Sequence, residues 1–131
     1  GASELLAEIQ VPNLPPHSAG VYLKHTLRAA MDLSIVGIAA IISLNSADGI
    51  CKDAKVSHGA VAPTPVRVRK AEGVLIGKVL EDGLIKHASQ VASEAACPIT
   101  DVRSSAEYRT EMIKVLTRRA VIQAWEKARA S

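Results

Sequence analysis

The run Leu33-Ser34-Ile35-Val36-Gly37-Ile38-Ala39-Ala40-Ile41-Ile42-Ser43-Leu44 constrains this chain more than any other segment, because it is apolar on both alternating sides. Leu33, Ile35, Gly37, Ala39 and Ile41 fall on one side. Val36, Ile38, Ala40, Ile42 and Leu44 fall on the other. The run is too short to cross a bilayer as a helix, which takes about 20 residues. It is rich in β-branched residues and ends at the turn-forming Asn45-Ser46-Ala47-Asp48-Gly49, so it predicts a strand over 33–44. An antiparallel sheet in a two-layer domain has one face under helices and the other toward water. A strand apolar on both sides predicts that its second face is covered by loops and chain ends, or docks on another domain or subunit.

The flanking patterns complete an outline. Leu5, Ala7, Ile9 and Val11 alternate with Glu8 and Gln10, which predicts a half-buried strand ending at Pro12. A stiff loop over 12–18 leads to an extended stretch around Gly20–His25, and Ile50–His58 returns as the hairpin partner of the long strand. Beyond this only helical patterns follow. Thr64 as N-cap with Pro65 in the first turn predicts a short helix over 65–76, ending near Gly77. Glu81 and Asp82 open a second helix that Pro98 ends, and Ser104 with Glu107 forms a capping box for a long third one. In that last helix Met112, Ile113, Leu116, Ala120, Val121, Ala124 and Ala128 line one face. Strands first and helices afterwards predict a single α+β domain over 1–131, with three or four antiparallel strands and three helices on one sheet face. Gly1-Ala2, without an initiating Met or a leader pattern, reads as a scar on a fragment of a larger protein.

Composition removes several classes of function. Tyr22, Tyr108 and Trp125 are the only aromatic residues, too few and too scattered for a surface that stacks nucleic-acid bases. The net charge of +3 arises wholly within 104–131, spread along the last helix as on a solvated face. Cys51 and Cys97 are read as free thiols of a reducing cytosol; two cysteines make neither a disulfide scaffold nor a self-sufficient iron–sulfur site. His17, His25, His58 and His87 lie far apart, without metal-ligand spacing, and are read as surface or strand-end residues. The glycines are single, so no phosphate-binding loop is present. No catalytic residue or metal ligand is assigned.

Two clusters suit a ligand. Tyr22, Lys24, His25, Arg28 and Asp32 crowd the approach to the apolar strand and suit a polar heteroaromatic, although charges beside a core strand are commonly just solvated. The small-residue loop 59–65 runs into Arg67, Arg69 and Lys70, where helix N-terminal amides favour anions, or where it merely connects strand to helix.

Taken in order, Glu8-Ile-Gln-Val-Pro12, Tyr22-Leu-Lys-His25, Arg28-Ala-Ala-Met-Asp-Leu-Ser-Ile-Val36, Gly59-Ala-Val-Ala-Pro-Thr-Pro-Val-Arg67 and Asp101-Val-Arg-Ser-Ser-Ala-Glu-Tyr-Arg109 resemble a family. It is the C-terminal domain of the FAD-binding subunit of molybdenum hydroxylases, the carbon monoxide dehydrogenase, xanthine dehydrogenase and aldehyde oxidase family. The resemblance runs from Glu4 to about Arg129 and rests on five motifs in order.

The resemblance implies an oxidoreductase part that is inactive as this chain alone. In that family a molybdopterin centre oxidises the substrate, [2Fe–2S] clusters relay electrons, and FAD passes them on. An N-terminal domain holds the FAD pyrophosphate, and the C-terminal domain closes over the isoalloxazine end. By the same resemblance Tyr22 and Lys24 lie beside the flavin ring, Asp32 reaches its polar edge, and Lys70 stands where xanthine dehydrogenases place a lysine near the flavin. Asp101, Arg103, Ser104, Tyr108 and Arg109 are structural: Asp101 and Ser104 cap a helix and Arg103 pairs locally. The implied partners are the N-terminal FAD-binding domain, the iron–sulfur subunit and the molybdenum subunit, in the cytoplasm. No nucleic acid and no membrane span are expected, and the exposed sheet face allows self-association. The alternative from a different class is a non-catalytic interaction or assembly module that reuses the fold without flavin.

Overall fold

The computed structural model describes residues 3–28, 30, 32–46 and 49–131. Four strands come first: β1 (Ser18–His25), β2 (Val36–Leu44), β3 (Cys51–Gly59) and the two-residue β4 (Val66–Arg67). Three helices follow: α1 (Arg69–Leu75), α2 (Asp82–Glu94) and α3 (Ala106–Ala130). The strands form one antiparallel sheet in the order β1-β2-β3-β4. The α+β class, the four-stranded sheet and the strands-then-helices order agree with the sequence reading.

The register assigns every strand residue to a face. Val21 lies opposite Ala40 and Ala40 opposite Val56, so these three side chains share the helix-covered side. On that side Val36, Ile38, Ala40 and Ile42 are fully buried, packed with Ile85, Ile113, Ala120, Val121 and Ala124 from the helices. Burying each large aliphatic side chain contributes about 1.5–3 kcal/mol. Small residues on α3 let this helix lie close to the sheet. In β3 the strict alternation breaks, since Cys51 and Ala54 are both buried. The register shifts there, with Ser43 opposite Asp53 but Leu44 opposite Cys51. Lys52 is the extra residue of a β-bulge, which turns Cys51 back into the core.

The described residues do not wrap the other sheet face. Ala39 and Ile41 stay partly exposed, while Gly37 is buried and Ser43 is bonded through its hydroxyl to Ser18 at 2.8 Å. The doubly apolar strand thus has one core face and one open face.

Several expectations need correction. Leu5–Val11 is irregular and stands in solvent, with Leu5 96%, Ile9 77% and Val11 83% exposed; it pairs with no strand among the described residues. The long strand starts at Val36, since Leu33 is a loop residue, and Ala47 and Asp48 of the expected turn lie outside the described residues. Thr64 and Pro65 do not open a helix. Val66 and Arg67 are recruited to the edge of β3, opposite His58 and Ser57, and α1 starts only at Arg69, after Val68. Tertiary pairing here overrides a local cap signal. The anchor of α1 is Glu72, a buried carboxylate that accepts from the Val56 N–H at 2.9 Å and from Arg67 Nε at 2.8 Å. Burial pushes its pKa up, but Arg67 and the Val56 amide pull it net below the ordinary value. Helix α2 ends at Glu94, short of Pro98, and the N-cap of α3 is Ser105, one residue after the expected Ser104, accepting from the Tyr108 N–H.

Candidate functional site

The open sheet face carries the first sequence cluster. Even-numbered residues of β1 point to it, so Tyr22 and Lys24 stand side by side above Ala39 and Gly37 of β2. Two residues along a strand are about 7 Å apart. The floor beneath is made of small side chains: Gly20, Gly37, Ala39, Ser57 and Gly59. Tyr22 uses this floor. A Cβ placed at Gly37 would meet its Oη at 2.8 Å and its ring carbons at 3.4 Å, so the ring lies against the bare glycine. The side chain is nevertheless 63% exposed. An aromatic ring backed by the sheet and open on its outer side is a platform on which a planar ligand can stack.

A loop closes one end of this face. The Asp32 carboxylate accepts from the Arg28 N–H at 2.9 Å and from the Leu33 N–H at 2.8 Å. Lys24 Nζ donates to the Asp32 carbonyl at 2.7 Å. The Arg28 amide is the main cause that holds the Asp32 carboxyl below its ordinary range, against a smaller opposing desolvation. Asp32 is thus a clasp on Arg28 and Leu33, and its carbonyl fixes where Lys24 puts its charge. The structure brings together Tyr22, Lys24 and Asp32 of the expected site residues. Lys70 is not with them. It lies in the first turn of α1, a helix packed against β3 and α2 in the helix layer, while Tyr22 and Lys24 stand on the other sheet face.

The second cluster folds into a cleft of about 500 Å³ lined by Leu33, Val61, Pro63, Ile99 and Arg103 among others. Its frame is Arg109, 3% exposed, which donates to the carbonyls of Ile35 (2.7 Å) and Ala60 (3.2 Å) and to Asp101 Oδ1 (2.8 Å). Asp101 also accepts from the Arg103 and Ser104 amides and pairs with the Arg103 guanidinium at 3.1 Å. The Arg103 amide is the largest cause of its lowered pKa. Ala60 sits at φ 63°, a left-handed conformation held by this bonding. The loop therefore leads into a strand, and no helix N-terminus opens on it.

Of the four histidines, His58 is no surface residue: it is 1% exposed between β3 and α3, within 3.3 Å of the Thr117 hydroxyl. Burial lowers its pKa to about 4. Cys51 is buried, which raises its thiol to about 11, and Cys97 is exposed. Among the described residues no His, Cys, Asp and Glu gather as a metal site, and no helix is long and apolar enough to cross a membrane. Sequence reasoning missed Gly37 as a site residue. The signal was present, since an isolated glycine inside a β-branched strand marks close approach of another group.

Residues 21–124 match the family described as the CO dehydrogenase flavoprotein C-terminal domain. The chain is 35% identical over 127 residues to the carbon monoxide dehydrogenase medium chain of Afipia carboxidovorans, covering 97% of this chain and 42% of that one. It is 32% identical over 126 residues to the 6-hydroxypseudooxynicotine dehydrogenase complex subunit alpha of Paenarthrobacter nicotinovorans, covering 96% and 42%. Among solved structures, carbon monoxide dehydrogenase from Hydrogenophaga pseudoflava superposes with a TM-score of 0.83 at 27% identity, over 88% of this chain and 39% of that one. The chain spans about two fifths of the length of these relatives.

Proposed function

The chain belongs to the CO dehydrogenase flavoprotein C-terminal domain family, and from that premise we propose that it is the part of an FAD-binding subunit that closes over the isoalloxazine end of the flavin. The carrying observation is the open sheet face, where Tyr22 lies on Gly37 and Lys24 stands beside it. The fit is chemical as well as geometric. A planar heteroaromatic with a polar edge needs one stacking ring and one cation beside it, on a floor small enough to let it approach. FAD, when bound, supplies the redox chemistry that takes electrons from iron–sulfur clusters to a final acceptor. The chain's own contribution is position and charge: Tyr22 covers the ring and Lys24 faces its edge. Asp32 acts through the loop that places Lys24. Lys70, on α1 in the helix layer, is assigned no contact.

The wider assignment belongs to the same proposal. The parent is a molybdenum hydroxylase of the cytoplasm, in which the N-terminal FAD-binding domain, an iron–sulfur subunit and a molybdopterin subunit are the partners. The folded unit from β1 to α3 forms one domain of it. Of the names found, one describes a subunit of a dehydrogenase complex and another a medium chain. The reading as an assembly module without flavin gains nothing from these likenesses.

The test is flavin content. The isolated chain is expected to purify colourless, because no loop in it cradles a pyrophosphate. The full-length chain is expected to retain FAD, and Tyr22→Ala or Lys24→Ala to weaken that retention without loss of fold. A yellow isolated chain with stoichiometric FAD would overturn the reading as a fragment of a larger FAD subunit. Full-length variants indistinguishable from the parent in FAD affinity and flavin potential would remove the open face from the flavin site.

A further inference from the structure

The segment Leu5–Val11 has the pattern of a half-buried strand and none of the burial. Leu5, Leu6, Ile9 and Val11 are 77–96% exposed. Gln10 Nε2 donates to Glu8 Oε1 at 2.6 Å, which holds these two polar side chains together; Leu6, of the same parity, is the one apolar residue among them. The chain has a free edge of its own in β1, yet the segment does not pair with it. The linker gives the reason. Pro12, Pro15 and Pro16 stiffen the connection and His17 sits at φ 53°, so no tight hairpin can return the segment onto β1.

Two boundaries say where the partner lies. The family match begins at residue 21, inside β1 and downstream of the segment. Likeness to the longer relatives covers 96–97% of this chain, so it includes the segment. The relatives thus share Leu5–Val11 with this chain, outside the domain that the family match defines.

We propose that Leu5–Val11 is a strand of a neighbouring sheet, formed by the portion of the subunit that lies outside this chain. Leu5, Ala7, Ile9 and Val11 face the interior of that portion, and Glu8 and Gln10 face water. A main-chain ladder along an edge strand gives the pairing, and the alternate apolar side chains give its register. The seven steps from Val11 to Ser18 span at most about 25 Å. The neighbouring sheet is therefore held close to the Ser18 end of β1. The segment acts as a strap that fixes the two parts of the subunit at a set distance, whether or not a flavin lies between them.

Amide hydrogen exchange tests this in the full-length chain and in the 131-residue chain at equal pH and temperature. Amides of residues 5–11 are expected to exchange at least about 100-fold more slowly in the full-length chain, as paired strands do relative to free segments. Ile9→Glu is expected to abolish this protection while the amides of β2 and β3 keep theirs; Glu8→Ala, on the opposite side, is expected to keep it. Equal, rapid exchange of the segment in both chains would overturn the proposal. So would protection in the short chain that grows with concentration, since the occupant would then be a second copy. A full-length chain that protects the segment but holds no FAD would refute the flavin reading and leave this one standing.

Discussion

The ring of Tyr22 lies so close to Gly37 on the neighbouring strand that a Cβ at position 37 would come within 2.8 Å of the phenol oxygen. The first prediction follows from this contact. In Gly37→Ala the obstacle is the far end of a flexible side chain, so the ring swings away and the sheet stays. Thermal denaturation should show a stability change within about 1 kcal/mol, because losing glycine freedom in the unfolded chain offsets the displaced contact. Flavin retention by the full-length Gly37→Ala chain should fall as far as in Tyr22→Ala. Undiminished retention would mean that the position of the ring does not matter to the ligand.

The second prediction concerns Arg109. Its guanidinium joins the start of β2, the loop after β3 and the approach to α3 through Ile35, Ala60 and Asp101. Arg109→Met leaves buried acceptors without a donor and should cost on the order of 3 kcal/mol in urea denaturation. Arg109→Lys should recover only part of this, since a point-like ammonium cannot bridge three acceptors set around a planar fork. A loss below about 1 kcal/mol, the size of a surface contact, would show that the three bonds add nothing beyond surface value.

What could be read from the sequence divides along local and long-range lines. The β2–β3 pairing, the helix order and the apolar face of α3 follow from periodicity, because those elements carry their own pattern. Arg109 was read as structural, but its partners lie 74 and 49 residues away at Ile35 and Ala60, and no spacing rule reaches that far. The same holds for β4: Thr64-Pro65 is a sound local cap, and only the presence of β3's edge turns Val66 and Arg67 into a strand. His58 was placed at a surface strand end, although its register opposite Ile38 puts it on the core side. Of the expected site, Tyr22, Lys24 and Asp32 come together because they are close in sequence. Lys70 does not, because it sits on α1 in the helix layer, whose packing on β3 and α2 is long-range.

The third prediction is a pH dependence carried by His58. Burial against α3 holds its pKa near 4, below the ordinary 6.5 that it regains on unfolding. Between those values the unfolded chain binds more protons than the folded one, so stability falls as pH falls. The effect is absent above about pH 6.5 and fully developed below about pH 4, where it amounts to about 3 kcal/mol. The carboxylates with lowered pKa, Asp32, Glu72, Asp101 and Glu107, lose their contribution only at the acidic end of that window and below. Urea midpoints between pH 7.5 and 5 should therefore decline in the parent chain and stay nearly flat in His58→Leu. Parallel decline in both chains would assign the acid sensitivity to other groups.

The last prediction separates the flavin role from the folding role of Asp32. Its two oxygens take the Arg28 and Leu33 amides, and its carbonyl takes Lys24. In Asp32→Asn only one side-chain oxygen remains as acceptor, so one of those amides loses its partner and the loop that aims Lys24 relaxes. In the assembled complex this should slow reduction of the final acceptor by about tenfold, since small misplacements near a reacting group are known to reach ~100-fold. The flavin potential should shift as well, because the nearby cation is no longer held at the same distance. Substrate oxidation measured with an artificial acceptor that draws electrons ahead of the flavin should be nearly unchanged. Loss of both activities together would mean that Asp32 only keeps the domain in shape. Equal rates with both acceptors and an unshifted potential would mean that the loop from Arg28 to Leu33 does not face the flavin, and that Lys24 acts elsewhere on the open sheet face.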